Sequence, residues 1–317
     1  MLRYLLRRVL YTLPIALGVS LVCFALVHLA PGDPISAMLP ENATPELVEQ
    51  VKAAYGFDKP LPIQYGIWLG NVATGDFGTS IMTRRPVLAE LRPAIFNSIV
   101  LAAASILLAF FVGSLLGAIA GHTRNRLLDR IVTATSVAGV SLPHYWLGMV
   151  LIVIFSVELG WMPATGMGSN GSTGFTLNLD SMRHMLLPAI TLSVIPAGIV
   201  ARSVRASVAE VLKQEFVQAL YAKGLPTRLV LLHVAKNVAP TVIAIMGLQF
   251  AQLLGGSILV ETVFAWPGTG FLLSSAIFSR DLPVLQGTIL ILAMFFVVTN
   301  LVVDMFQMLV DPRIKRT

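Results

Sequence analysis

Six long apolar runs constrain the fold of this chain more than any other feature. They cover residues 9–30, 96–121, 131–159, 186–201, 241–265 and 285–310. The first run alone forms about 33 Å of helix, which matches the hydrocarbon core of a bilayer. With 56% hydrophobic and only 12% charged residues, the chain has too little polar surface for a soluble globule of its size. We predict an all-α polytopic membrane protein with six transmembrane helices.

The cationic residues indicate how these helices are oriented. Most of the 22 Lys and Arg residues lie in the N-terminus, in 122–130, in 202–236 and in the tail from Asp311. The others lie in longer segments: Lys52, Lys59, Arg84, Arg85, Arg92, Arg183 and Arg280. Because short cytoplasmic loops carry an excess of Lys and Arg, we expect both termini in the cytoplasm. The same bias accounts for the net charge of +6, so we expect no nucleic-acid partner.

This orientation divides the chain into two parts. Residues 1–95 hold the first transmembrane helix and an outer, periplasmic segment, in which Tyr65 and Trp68 are typical of a helix at the membrane interface. Residues 96–317 form a five-helix core. A cytoplasmic loop at 202–236 interrupts this core and is the longest cationic segment of the chain.

The cationic loop has a helical pattern with one interruption. Gly224 is followed by Pro226, and residues of this type end helices and form turns. The pattern predicts a helix, a sharp turn at Gly224, and a second helix that leads back into the membrane. A short exposed helix of this kind is a shape that another protein can bind.

Small residues and prolines shape the second and fourth runs. Gly113, Gly117 and Gly121 recur at intervals of four, which places a smooth stripe on one face where another helix can approach closely. The fourth run is short and contains Pro188 and Pro196. We therefore expect this run to be kinked or broken.

Interrupted helices also mark candidate positions for a transport pathway. The third run contains Ser-Leu-Pro-His-Tyr-Trp, and a Trp-Pro-Gly turn follows the fifth. Such helices often line pathways, yet proline kinks are equally common as packing features, and both interpretations stay open. The candidate pathway or gate residues are His144, Trp146, Pro196, Trp266, Pro267 and Asp281.

Polar residues inside apolar runs are costly and therefore informative. Asn300 and Asp304 lie four residues apart and share one face of the last helix. We favour a structural bond from Asp304 to a neighbouring helix or to Arg202 or Arg205, with a proton relay as the alternative. Glu158 and Glu261 lie at outer ends of runs, where we expect water to reach them.

The sequence contains no pattern of catalytic or metal-binding residues. It has no G-x-x-x-x-G-K-[ST] loop for ATP phosphates and no G-x-S-x-G or H-E-x-x-H motif. The five histidines are scattered, and the one cysteine, Cys23, lies in the first run, where packing explains it. We predict that the chain is not an enzyme and binds no metal.

Five stretches, spread in order over nearly the whole chain, resemble one family. They are LRYLLRRVL with PGDP at 31–34, GDFGTS at 75–80, EFVQALYAKG at 215–224 followed by LPTRLVLLHVAKNVAP, VETVFAWPGTG at 260–270 with RDLPVLQG at 280–287, and NLVVD with DPRI ending at 314. Together they are similar to the inner-membrane permease subunits of bacterial ABC importers of the dipeptide, oligopeptide and nickel class.

The resemblance implies a fold, partners and a location. The fold is that of a type I ABC importer permease in the bacterial inner membrane. The implied partners are a second homologous permease subunit in a heterodimer, two ATP-binding subunits and a periplasmic substrate-binding protein. ATP and Mg²⁺ bind to the partner ATPase subunits, and this chain binds no cofactor of its own.

The resemblance also implies how the cationic loop functions. In the family, this loop presents a short helix to a groove on the ATPase subunit and moves with it. The residues carried over to this role are Glu215, Gln218, Ala219, Ala222, Lys223 and Gly224.

The implied cargo is a short peptide, with glutathione, nickel chelates or opine-like compounds as alternatives. A rival function from another class is an ion-coupled secondary transporter that uses Asp304, but the halves of the chain show no convincing inverted repeat. A second rival, an intramembrane enzyme, lacks a paired nucleophile and base.

Overall fold

The structure is a computed structural model that describes residues 2–29, 44–46, 49, 58–123, 130, 133–134, 139, 141–168 and 174–310. Within these ranges every regular element is helical, and the extended backbone pairs only at an isolated bridge between Thr79 and Pro86. Four of the helices are long and apolar enough to cross a membrane. The prediction of an all-helical membrane protein is confirmed.

The N-terminal part contains helix α1 (Leu2–Leu29) and helix α2 (Leu61–Ala73). α2 lies against α1 through an aromatic contact, because the rings of Phe24 and Tyr65 are 5.5 Å apart at their centroids. The Tyr65 hydroxyl is also 2.7 Å from Ser20 Oγ. α2 buries none of its own residues, so it is held to α1 by these few contacts.

Helix α3 (Val87–His122) and helix α5 (Leu179–Val211) form the closest helix pair. A Cβ at Gly113 would lie 2.9 Å from the Val200 Cβ, and one at Gly121 would lie 2.9 Å from the Val208 Cβ. The numbering rises together along both helices, so they run parallel. The prediction that the glycine stripe serves helix packing is confirmed.

α5 is a single continuous helix of 33 residues that includes Pro188 and Pro196. The predicted bounds of 186–201 are therefore too short and a break is wrong, while the predicted alternative of a kink stays a prediction. Both prolines are buried, and packing against neighbouring helices keeps a proline-containing helix intact where an isolated one would open. The helix also extends ten residues beyond the predicted end at Ala201.

The third apolar run is interrupted as expected. Helix α4 (His144–Leu151) begins directly after Pro143, and Leu142 lies in a bend. The helix continues as a π-helix over Ile152–Glu158. The interruption at Ser-Leu-Pro is confirmed, while most of 131–140 lies outside the described residues.

The C-terminal part contains helix α6 (Glu215–Ala222), helix α7 (Thr227–Gly256) and helix α10 (Leu282–Val310). The short helices α8 (Ile258–Val263) and α9 (Thr269–Ser279) connect α7 to α10.

The predicted span at 241–265 has wrong ends at both sides. α7 begins 14 residues earlier, at Thr227, and it ends at Gly256. The apolar run continues past this point, although one helix ends at Gly256 and the next, α8, begins at Ile258. Hydrophobicity alone does not detect such a break, because the following helix is apolar as well.

Candidate functional site

Two groups of candidate functional residues lie at opposite ends of the helix bundle. Because α3 and α5 are parallel, both helices begin at the same end of the bundle, at Val87 and Leu179. Both end at the opposite end, at His122 and Val211. Along α3, the distance from Ser98 to His122 is about 36 Å, which exceeds the thickness of a bilayer core. We call the end where α3 and α5 begin the Glu261 end, and the end where they finish the α6 end.

At the α6 end, the helix α6 attaches to the bundle through one apolar face. Val217 is its one buried side chain among the described residues, with Phe216 and Leu220 half-buried beside it. Gln218 and Ala219 are exposed. A short helix with one face anchored and the other free is suited to binding a partner in a groove.

The anchor of α6 is a cluster of valines from three helices. Val217 belongs to a buried cluster that includes Val204 and Val208 of α5 and Val230 and Val234 of α7. Valine has few rotamers, so this contact is stiff. This cluster thereby joins α6 to two long helices.

α6 ends in a Schellman motif at Gly224. The N–H of Leu225 donates to the carbonyl of Leu220 at 3.2 Å, and the N–H of Gly224 donates to the carbonyl of Tyr221 at 2.9 Å. Gly224 has φ +76°, which glycine adopts readily. The predicted helix, sharp turn and second helix are confirmed.

The remaining predicted coupling residues surround this turn. Glu215 lies in the first turn of α6, where a negative charge favours the helix. Ala222 and Lys223 lie at its last turn, and both are exposed. The structure thus places all six predicted coupling residues on α6 and the turn that follows it. The hydrogen bonds described above are those of the backbone turn.

At the Glu261 end, a carboxylate lies fully inside the protein. Glu261 has 0% exposure, so the expectation that water reaches it is wrong. One of its oxygens accepts hydrogen bonds from Ser98 Oγ and Ser257 Oγ, each at 2.7 Å. The other accepts from the backbone N–H of Gly270 at 2.7 Å and of Phe271 at 3.3 Å. Four donors therefore hold the carboxylate.

The carboxylate and its donors join three separate helices. Glu261 is in α8, Ser98 is in α3, and Gly270 is in the first turn of α9. A carboxylate at a helix N-terminus compensates the unpaired N–H groups and the helix dipole. A side chain at Gly268 or Gly270 would collide with this carboxylate, so the two glycines allow its close approach.

Trp266 and Pro267 lie beside this carboxylate, in the turn between α8 and α9. The Trp266 indole is buried and donates from Nε1 to the carbonyl of Asn97 at 3.1 Å. Asn97 Nδ2 in turn donates to the carbonyl of Pro267 at 2.7 Å, and Asn97 Oδ1 accepts from the N–H of Phe175 at 3.2 Å. Together with Glu261, these bonds fix the turn between α8 and α9 to α3.

Asp281 makes a second buried anchor at the same end. It is 3% exposed and accepts from Ser80 Oγ at 2.5 Å and from the N–H of Met82 at 3.2 Å. It also caps α10 through the N–H of Val284 at 3.4 Å. The structure thereby joins the Gly-Asp-Phe-Gly-Thr-Ser stretch to the Arg-Asp-Leu-Pro stretch, about 200 residues apart.

The other predicted site residues lie on three different helices. His144 is half-buried and Trp146 is exposed on α4, whereas Pro196 is buried in α5. Asn300 Nδ2 donates to the carbonyl of Phe296 within its own helix at 2.9 Å. The side chain of Asp304 lies outside the described residues.

Sequence reasoning missed the partners of Glu261. Asn97 and Ser98 are two adjacent polar residues at the start of a long apolar run. Polar pairs in that position require partners, and this signal could have identified them. The sequence did not indicate which distant residues they would meet.

Comparison with known proteins gives full-length relatives. Residues 113–316 match the family described as binding-protein-dependent transport system inner membrane component, and residues 1–90 match the N-terminal region of such membrane components. The dipeptide transport system permease protein of Alkalihalophilus pseudofirmus is 36% identical over 99% of this chain and 100% of the relative. The di/tripeptide transport system permease protein of Pseudomonas aeruginosa is 39% identical over 99% of both chains.

A further relative is the glutathione transport system permease protein of Escherichia coli, which is 39% identical over 99% of both chains. The family match covers well over half of the chain, and its long apolar helices agree with a membrane location. The chain therefore belongs to the inner membrane components of binding-protein-dependent transport systems, and it is a multi-pass protein of the inner membrane.

Proposed function

We propose that this chain is the permease subunit of an ATP-binding cassette importer for short peptides. The observation that carries the proposal is similarity over 99% of the chain to permeases named for dipeptide and di/tripeptide transport. Glutathione, itself a small peptide, is the second candidate cargo, because a relative named for its transport is equally similar.

The distribution of positive charge supports an assignment of each end of the bundle to one side of the membrane. The α6 end, with exposed Lys213, Lys223 and Arg228, lies in the cytoplasm together with both termini. The Glu261 end then faces the periplasm. Six transmembrane spans satisfy this arrangement when α1 and α4 with its π-helix are counted with the four long helices.

The proposed mechanism requires no chemistry in this chain. Two partner subunits bind and hydrolyse ATP with Mg²⁺, and α6 sits in a groove of one of them. When those subunits close, α6 moves, and the Val217 cluster carries the movement into α5 and α7. The permease pair then changes between inward-open and outward-open states, which is a shift between two global conformations.

The proposed complex contains four kinds of subunit: this permease, a second homologous permease, a pair of ATPases and a substrate-binding protein. Its test is purification from mild detergent followed by reconstitution into proteoliposomes. We expect a second permease and P-loop ATPases to co-purify, and ATP with the binding protein to drive dipeptide uptake.

One result would contradict the proposal. If the chain purifies alone and takes up cargo in response to a proton or sodium gradient, the importer assignment is wrong. In that case the ionisable Asp304 becomes the leading site of a secondary transporter. Competition between a dipeptide and glutathione in the same assay separates the two candidate cargoes.

A further inference from the structure

A rigid hairpin projects from the Glu261 end of the bundle. The N–H of Ser80 donates to the carbonyl of Arg85 at 2.9 Å, and the N–H of Arg84 donates to the carbonyl of Ser80 at 3.2 Å. The N–H of Val87 closes the base on the carbonyl of Gly78 at 2.9 Å. Residues 81–84 therefore form a tight turn at the tip.

The hairpin is fixed to the start of α10 by a buried carboxylate. Asp281 accepts from Ser80 Oγ and from the N–H of Met82, as described above. Because Asp281 is itself buried, this link is shielded from water and persists. The exposed residue next to it, Arg280, is thereby held beside the hairpin.

Exposed arginines and a methionine occupy this surface. Arg84, Arg85 and Arg280 are exposed, and Met82 is 63% exposed. None of these arginines forms an ion pair with another of the described residues. Arg84 and Arg280 have φ near +55°, a conformation that side chains adopt only when the surrounding structure enforces it.

This composition is that of a protein-binding surface. Arginine and methionine are enriched in protein interfaces, and arginine is among the residues that dominate binding energy. Its guanidinium forms paired hydrogen bonds with carboxylates. A rigid presentation lowers the entropy lost on binding.

We infer that the surface formed by Met82, Arg84, Arg85 and Arg280 docks the soluble substrate-binding protein through acidic side chains of that protein. The inference rests on the proposed function and its orientation, which place this surface in the periplasm. The family description itself requires a binding protein. The same surface could instead contact anionic lipid or the second permease subunit, and the test distinguishes these two partners from the binding protein.

The test uses the full importer complex in nanodiscs of zwitterionic lipid and its purified binding protein. The variant is Arg84→Glu with Arg85→Glu, and the matched control is Arg183→Glu, an exposed arginine at the start of α5. The affinity is measured from binding of the purified binding protein to surface-immobilised nanodiscs. The ATPase activity is measured with and without the binding protein.

We expect charge reversal to weaken binding by about tenfold or more at about 0.05 M salt and by much less at about 0.5 M, because salt screens exposed charges. The basal ATPase rate and the Arg183→Glu control stay as in the wild type. Arg84→Lys with Arg85→Lys keeps most of the affinity. An excess of binding protein restores stimulation of the reversed variant.

Other outcomes overturn the inference. If the reversed variant binds as tightly as wild type, the arginines do not form the docking surface, although the proposed function stands. A lost basal ATPase rate would indicate a role in permease assembly instead, and an effect seen only with anionic lipid would indicate a lipid site. If the binding protein fails to stimulate even the wild type, the proposed function itself is wrong.

Discussion

Gly224 offers the sharpest test of how α6 is coupled to the bundle. Its φ of +76° lies in the left-handed region, where a residue with a Cβ is disfavoured by about 1–2 kcal/mol. A Cβ at Gly224 would have no other atom within 4 Å. The change Gly224→Ala therefore strains the turn alone and leaves the packing of the bundle as it is.

This penalty sets the size of the expected effect. An energy of about 1–2 kcal/mol corresponds to a factor of roughly 5–30 in a two-state equilibrium. The Schellman turn orients α6, so an ATPase subunit that binds the native orientation must restore it. We expect Gly224→Ala to weaken the binding of the ATPase subunits by up to this factor. Gly224→Asn should have a smaller effect, because asparagine tolerates left-handed geometry.

The assay is titration of purified ATPase subunits onto the permease pair, followed by the transport rate in proteoliposomes. Gly160→Ala is the matched control, because Gly160 has φ +62° and also has no atom within 4 Å of an added Cβ. It lies in the loop after the π-helix, at the Glu261 end. The reasoning fails if Gly224→Ala binds like wild type, or if Gly160→Ala weakens binding to the same extent.

Three further changes test the packing and the buried anchors. Glu261→Ala leaves several buried donors without an acceptor, and each unpaired donor costs about 1–3 kcal/mol. We therefore expect a large loss of thermal stability in detergent. The control Glu158→Ala, at an exposed carboxylate, should melt as wild type does. Gly117→Ala brings a methyl group to 2.5 Å from a backbone oxygen of α5, so melting should show a loss of about 1–3 kcal/mol; Gly18→Ala, which meets nothing within 4 Å, should not, and equal melting of the two would refute the packing argument. Asp281→Ala should release the hairpin and speed hydrogen exchange at Met82; unchanged exchange would show that the hairpin does not depend on this carboxylate.

Much of the α6 end could be predicted from local sequence. Gly224 followed by Pro226 marks a helix end by the backbone geometry of those two residues alone. The charged residues around it exclude the segment from the hydrocarbon core. Both signals act within a few residues, so no knowledge of the rest of the fold was required.

The Glu261 end could not be predicted in the same way. The carboxylate of Glu261 is stabilised by Ser98, which is 163 residues distant in sequence, and by backbone donors that exist only once α9 has formed. From its position at the end of an apolar run it looked accessible to water. Similarly, Pro188 and Pro196 predicted a kinked or broken helix, and the structure shows that this helix is not broken.

The sequence by itself determined the membrane location, the helical class and the place of the exposed turn, because hydrophobicity, charge and glycine geometry act locally. Only the tertiary structure decided which polar groups meet inside the protein. Buried hydrogen bonds depend on the distance between atoms of separate helices, and that distance is set by how the glycine stripe of α3 fits against α5. The two anchors at Glu261 and Asp281 are therefore properties of the assembled bundle.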